Sequence, residues 1–181
     1  MSEFIFGVTG RSGSGKTTFC TALAKTICAK HINVDIYCHN VIELYRNEIE
    51  NILLTKFKFS PASNFLLYAA TSFRKFLGEL IFSDQEKYKD IVSLVWNQAK
   101  DTIQNDIDLN ELVILDYILL PKTHFWKMCN RKILITCADK IRYKRILDRD
   151  NISLEYLYKR EQASMDYSDV YFDVKMDTTN D

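Results

Sequence analysis

The chain has 181 residues, enough for one domain with a sizeable core. Hydrophobic residues make up 47% and charged residues 27%, the balance of a water-soluble globular protein. Its 24 Lys and Arg match its 24 Asp and Glu, which excludes a global pull toward nucleic acid or an acidic membrane.

From the N-terminus, Phe4–Val8 reads as a short buried strand, apolar and stopped by glycine. Glu3 precedes it and no basic segment does, so the start is not expected to be a signal peptide. No later run approaches the roughly 18 apolar residues of a membrane span, so no membrane partner is expected. Lys16–Lys30 turns helical, with Phe19, Leu23, Ile27 and Cys20, Ala24, Cys28 recurring on one apolar face. Asn33–Cys38 (NVDIYC) predicts a second strand, and Val41–Leu54 a mixed helix. Ser60 and Pro61 mark a break. Ala62–Phe82 predicts a strong helix with Leu66, Ala69, Phe73, Phe76 and Leu80 on its apolar side. Ser83 and Asp84 interrupt it, and a second helix runs to about Ile107 through Tyr88, Ile91, Val95, Ala99 and Ile103.

Two further buried strands follow, at 112–116 (LVILD) and 132–137 (KILITC). Asp139–Asp150 is helical in spacing, and Ser153 caps another helix with Glu155 in its first turn. Val170–Val174 predicts a last strand, and Met176–Asp181 a frayed tail. Strands alternating with helices mean an α/β fold with a parallel sheet. The helical block at 62–107 interrupts the alternation. It is expected as an insertion capping one sheet edge within a single domain spanning 1–181. The five cysteines are scattered and never spaced as CxxC. Neither a disulfide framework nor a zinc site is expected from them, and reduced thiols in a cytoplasmic protein fit best.

Four of the five glycines lie between Gly7 and Gly15. Gly10, Arg11, Ser12, Gly13, Ser14, Gly15, Lys16 and Thr17 fit the phosphate-loop pattern GxxxxGK[ST], between a predicted strand and a predicted helix. Glycines let backbone N–H groups converge on an anion, and the next helix adds its positive end. Lys16 would reach the β and γ phosphates of ATP, and Thr17 would offer a hydroxyl to Mg²⁺. The plain alternative is a glycine-rich turn with an exposed lysine.

Asp116 ends a predicted strand, where α/β ligands sit, and a carboxylate there can orient the water shell of Mg²⁺. It could equally serve only a turn. Arg142, Arg145 and Arg149 share one helix face, suited to phosphate or to a solvated surface with internal ion pairs. Tyr68, Phe73, Phe76 and Trp96 could stack on an acceptor base, although their spacing favours core packing.

Three blocks together resemble the dephospho-coenzyme A kinase family of P-loop kinases: FGVTGRSGSGKTTF, VILDYILLPK and RYKRILDRDNIS. FLGELIFSDQEK and SDVYFDV resemble two further stretches of it. The resemblance implies a three-layer α/β fold with a five-stranded parallel sheet, a helical substrate-binding insertion at 62–107 and a lid at about 139–166. It implies transfer of the ATP γ-phosphoryl to the ribose 3′-hydroxyl of dephospho-coenzyme A. Gly10 to Thr18, including Thr18 itself, would hold ATP phosphates and Mg²⁺. Asp116 would face the metal, and Arg145 and Arg149 would be lid arginines near the nucleotide.

The family carries Asp-x-Asp at the end of its second strand, the first aspartate being its acceptor base. Here that zone is read as IYCHN, with Cys38, His39 and Asn40 and no carboxylate. His39 could replace the base, or could simply make structural hydrogen bonds. Other departures are Trp96-Asn97 for a His-Pro, Gly78 and Leu80 for arginines, Lys122 for a glutamate, and a shortened lid. Two further readings stand beside the leading one. The first is a uridine-kinase-like nucleoside kinase; the second is a degenerate nucleotide-binding protein without turnover. A GTPase switch is disfavoured because no Asn-Lys-x-Asp-like segment occurs. The expected partners are ATP and a small-molecule acceptor, with no nucleic acid, in a monomer or small homo-oligomer.

Overall fold

The structure is a computed structural model that describes residues 4–58, 73–84, 87–162 and 164–180. The apolar runs at 4–9, 112–116 and 131–136 form strands β1 (Phe4–Thr9), β3 (Leu112–Asp116) and β4 (Arg131–Thr136). With edge strands β2 (Lys30–Asn33) and β5 (Val174–Asp177) they make a five-stranded parallel sheet in the order β2-β3-β1-β4-β5. Central parallel strands are covered on both faces, which is why β1 and β3 are nearly continuous apolar runs. Helix α1 (Lys16–Ile27) packs Cys20 and Ala24 against Val8, Ile114, Ile133 and Ile135.

The chain folds as two compact units, 1–34 with 103–181, and 35–102. The second unit contains α2 (Val34–Leu44) from Asp35 on, α3 (Arg46–Phe57), α4 (Phe73–Ser83) and most of α5 (Lys89–Asp108). Its interior includes Ile49, Leu53, Phe73, Phe76, Leu77, Ile91 and Ala99. Phe73 and Phe76 are therefore core residues, with the Arg46 guanidinium 4.8 Å from the Phe73 ring centre. Tyr45 donates to Gln98 Oε1 at 2.9 Å. The first unit continues through the short helix α6 (Phe125–Met128), then α7 (Asp139–Asp150) and α8 (Leu154–Gln162). Among the described residues, no helix is long and apolar enough to cross a membrane.

Several element boundaries differ from those read in the sequence. The second strand is Lys30–Asn33, and NVDIYC opens helix α2 instead. An edge strand pairs on one side only, so the polar Lys30 and His31 suffice there, and the apolar Val34 and Val41 serve a helix. The predicted helix at 41–54 is two helices parted by Tyr45. Helix α1 ends at Ile27, because Cys28 caps it in the left-handed region at φ 54° and is exposed, not part of the apolar face. The last strand begins at Val174, and the tail is anchored, not frayed. Thr178 N–H donates to the Thr136 carbonyl at 2.9 Å, and Ala138 N–H donates to Thr179 Oγ1 at 2.9 Å. The Ser60–Pro61 break, the 62–72 part of the predicted helix, and Tyr68 with it, lie outside the described residues.

Candidate active site

Register places the site. Val8, Asp116 and Asn33 stand level across β1, β3 and β2, at the carboxyl ends of those strands. The strand order reverses between β1 and β3, the position where open α/β sheets bind ligands. The loop from Gly10 to Gly15 leaves β1 there and turns straight into α1.

Two glycines show why the loop needs them. Gly10 has φ +153°, and a Cβ on it would stand 2.3 Å from the Ile135 carbonyl oxygen. Gly13 has φ +76°, and its Cβ would stand 2.8 Å from the Arg142 carbonyl oxygen. Gly15 caps α1 without a side-chain hydrogen bond, and the first turn holds no acidic residue. The positive end of α1 is therefore unmasked, which suits a bound anion.

Lys16 and Asp116 converge. Lys16 Nζ donates to Asp116 Oδ1 at 2.6 Å, and the Asp116 side chain is fully buried. On the other oxygen, Asn33 Nδ2 donates to Oδ2 at 3.3 Å and His31 Nε2 lies 3.3 Å from it. Burial alone would raise this carboxyl. The His31 hydrogen bond, the Lys16 charge and the Lys16 and Thr17 side-chain hydrogen bonds outweigh it and hold the pKa below its ordinary value. Thr17 and Thr18 are exposed at the start of α1, while Lys16 and Ser14 are buried.

All three arginines of the α7 face reach the loop. Arg142 donates to the Ser12 carbonyl at 2.6 Å, Arg145 to the Gly13 carbonyl at 3.4 Å, and Arg149 to Ser12 Oγ at 3.3 Å. Arg142 is 1% exposed and also ion-pairs with Asp139 at 2.8 Å and Glu161 at 2.5 Å. Arg11 lies 3.9 Å from the same Glu161. Arg149 is more exposed and pairs with Asp150 at 2.6 Å. Thr178 closes the arrangement from the chain end. Its hydroxyl donates to the Ser14 carbonyl at 2.7 Å, and Arg145 donates to its carbonyl at 3.2 Å.

His39 lies on α2, in the other unit, and is exposed. Desolvation and the nearby Arg74 hold its imidazole below the ordinary value, against the pull of Asp35 and Glu43. The end of the second strand is Asn33, followed by Val34 and Asp35. The zone compared with Asp-x-Asp is thus Asn33-Val34-Asp35, not Cys38 to Asn40. NVDIYC runs five residues past the observed strand end, which hides Asn33 and His31 as neighbours of Asp116. Thr178 left no motif in the sequence at all.

A parallel sheet with a phosphate loop after β1, a lysine at its end and a buried carboxylate ending β3 defines a P-loop kinase fold. The family model for dephospho-CoA kinase matches residues 4–175, and the chain belongs to that family of ATP-dependent kinases. It is 31% identical over 170 residues to the dephospho-CoA kinase of Pseudoalteromonas translucida, covering 91% of this chain and 77% of that one. It is 26% identical over 167 residues to the dephospho-CoA kinase of Campylobacter jejuni, covering 89% and 80%. Two solved structures share the fold at 22% identity. These are TT1252 from Thermus thermophilus (TM-score 0.78, covering 99% of this chain and 90% of that one) and a dephospho-CoA kinase from Campylobacter jejuni (TM-score 0.63, covering 100% and 90%).

Proposed function

We propose that this chain moves the γ-phosphoryl of ATP to the ribose 3′-hydroxyl of dephospho-CoA, yielding coenzyme A. The observation that carries the reading is the Lys16–Asp116 pair at the phosphate loop of a family member. Gly10 to Thr18 cradle the ATP phosphates, with Lys16 leaving Asp116 to meet the β and γ oxygens. Thr17 and Asp116 are the donors that fit Mg²⁺: a hydroxyl and a carboxylate, both oxygen ligands, and Thr17 helps hold the Asp116 pKa down. Held by Thr17 and Asp116, Mg²⁺ would supply positive charge against the negative charge of the phosphates.

Residues 139–166 act as the lid. Arg145 and Arg149 stabilise the transferring group from α7. We assign acceptor binding to the helical insertion at 62–107, and the hydroxyl proton to His39. It is neutral near pH 7 and stands four residues from Asp35, on the same face of α2. Phosphoryl transfer depends chiefly on positioning and charge, so an unusual base is tolerated. The protein works in the cytoplasm on small molecules, as a monomer or small homo-oligomer.

The experiment is ADP release measured with dephospho-CoA, uridine, cytidine and no acceptor. Stimulation by dephospho-CoA alone is expected. Stimulation by a nucleoside instead would make it a nucleoside kinase. ATP binding without stimulation by any acceptor would leave it a nucleotide-binding protein without turnover.

A further inference from the structure

Three side chains of different chemistry meet behind the catalytic lysine. Cys20 comes from the second turn of α1, His31 from the edge strand β2 and Asp116 from the end of β3. Their ligating atoms all lie within 4.8 Å of one another. Cys20 and Asp116 are fully buried, and His31 is half-buried with its side chain 19% exposed. His31 already touches Asp116 Oδ2, on the side away from Lys16.

We infer that Cys20, His31 and Asp116 form a site for a borderline-soft divalent cation of the zinc class, sharing Asp116 with the phosphate-loop Mg²⁺ position but adding a sulfur and a nitrogen ligand. A thiol, an imidazole and a carboxylate are the donor set of tetrahedral zinc with one position left for water. Mg²⁺ and Ca²⁺ prefer all-oxygen sites, so sulfur and nitrogen select against them. Zinc–ligand bonds of about 2.0–2.3 Å set tetrahedral ligand atoms under about 4 Å apart. A cluster within 4.8 Å needs only a small contraction. Binding releases the Cys20 thiol proton to solvent, leaving thiolate, carboxylate and neutral imidazole around the dication. The exposed edge of His31 is the way in. Sequence spacing hides the site, because the three residues lie 11 and 85 positions apart.

A cation held there engages Asp116 from behind and takes it from the phosphate loop. Occupancy therefore inhibits turnover, a consequence that rests on the proposed kinase reaction. The site itself does not rest on it.

The test uses the full chain without ATP, titrated with Co²⁺ and then with competing Zn²⁺. A thiolate-to-cobalt charge-transfer band that Zn²⁺ abolishes is expected. Cys20→Ala should remove the band, and His31→Gln should weaken cobalt binding by about 100-fold or more, beyond what losing a mere supporting partner costs. Cys28→Ala, at an exposed cysteine, should leave the band unchanged. Thermal melts of each variant separate loss of the site from loss of the fold, and the half-buried His31 position tests the site without opening the core. No band in the wild-type chain, or a band that survives in folded Cys20→Ala, overturns the assignment. In the ATP assay, Zn²⁺ should inhibit the wild type at concentrations that spare Cys20→Ala; equal inhibition of both overturns the inhibitory role. A band present in a chain that no acceptor stimulates sinks the kinase reading and leaves the metal site standing.

Discussion

Arg142 is 1% exposed and holds three partners: Asp139 at its own helix start, Glu161 on α8 and the Ser12 carbonyl in the phosphate loop. Consider Arg142→Met, which keeps the aliphatic stem and removes the guanidinium. Asp139 is 58% exposed, so losing that pair costs about 0–1 kcal/mol. Glu161 is 12% exposed and, among the described residues, would keep only Arg11 at 3.9 Å as a cationic partner, so a largely buried carboxylate is left nearly uncompensated. Stranding such a charge costs about 3 kcal/mol or somewhat more. That is a large share of the roughly 5–15 kcal/mol that holds a domain together. Glu161→Met leaves the arginine with Asp139 and the Ser12 carbonyl. The double variant replaces the pair with apolar groups and should recover about 2 kcal/mol relative to the sum of the single changes. Urea unfolding reads this as a fall in midpoint at unchanged slope. Because Arg142 also braces Ser12, the single variant should raise the KM for ATP. A loss under about 1 kcal/mol for Arg142→Met, or strict additivity in the cycle, would refute the claim that this buried pair ties α8 to the loop.

Lys16→Met should lower kcat by about 10²–10³-fold, as loss of a preorganised charge at the transferring group does; turnover above a tenth of wild type would remove Lys16 from that role. Asp116 is held below its ordinary value of 3.8, so its contribution to stability is present above that pH and lost as pH falls through the folded value. An acid titration of stability should show this limb in the wild type and a flatter one in Asp116→Asn. Gly13→Ala forces a Cβ to 2.8 Å from the Arg142 carbonyl at φ +76°, and should destabilise by about 2 kcal/mol while weakening ATP binding. Unchanged melting would mean the loop relaxes without cost. His39→Gln should reduce kcat about 10²-fold with little change in ATP KM. Asn33→Asp should restore turnover in that background, because it returns a carboxylate to the end of β2; the absence of rescue would count against a proton route through that strand end.

Much of the fold was legible because central strands and phosphate loops are written locally. FIFGVT, LVILD and RKILIT are apolar for reasons of burial alone, and four clustered glycines announce a loop that larger residues cannot form. The edge strands were misread for the opposite physical reason. Each pairs on one side and faces water, so KHIN and VKMD carry no continuous apolar signal, while the apolar NVDIYC belonged to a helix start. Strand β2 ends five residues before Cys38, so its carboxyl end carries Asn33 and not the Cys38–Asn40 stretch. The arginine periodicity, by contrast, was read correctly as one face, and the structure directs all three side chains at Ser12 and Gly13.

Asp116 carries the remaining argument. Its carboxylate is shared among Lys16, Asn33 and His31, and a second carboxylate in place of Asn33 would stand about as close to Oδ2 as the amide does at 3.3 Å. Two carboxylates at that separation raise each other's pKa, so each would be harder to ionise. With an amide there, Asp116 stays ionised, and His31 gains a full carboxylate to bond. The amide thus leaves a single carboxylate at the strand ends and sharpens the negative charge that Lys16, a magnesium ion or a softer cation would compete for. The metal titration, the Lys16 variant and the acid limb of stability all read this one carboxylate.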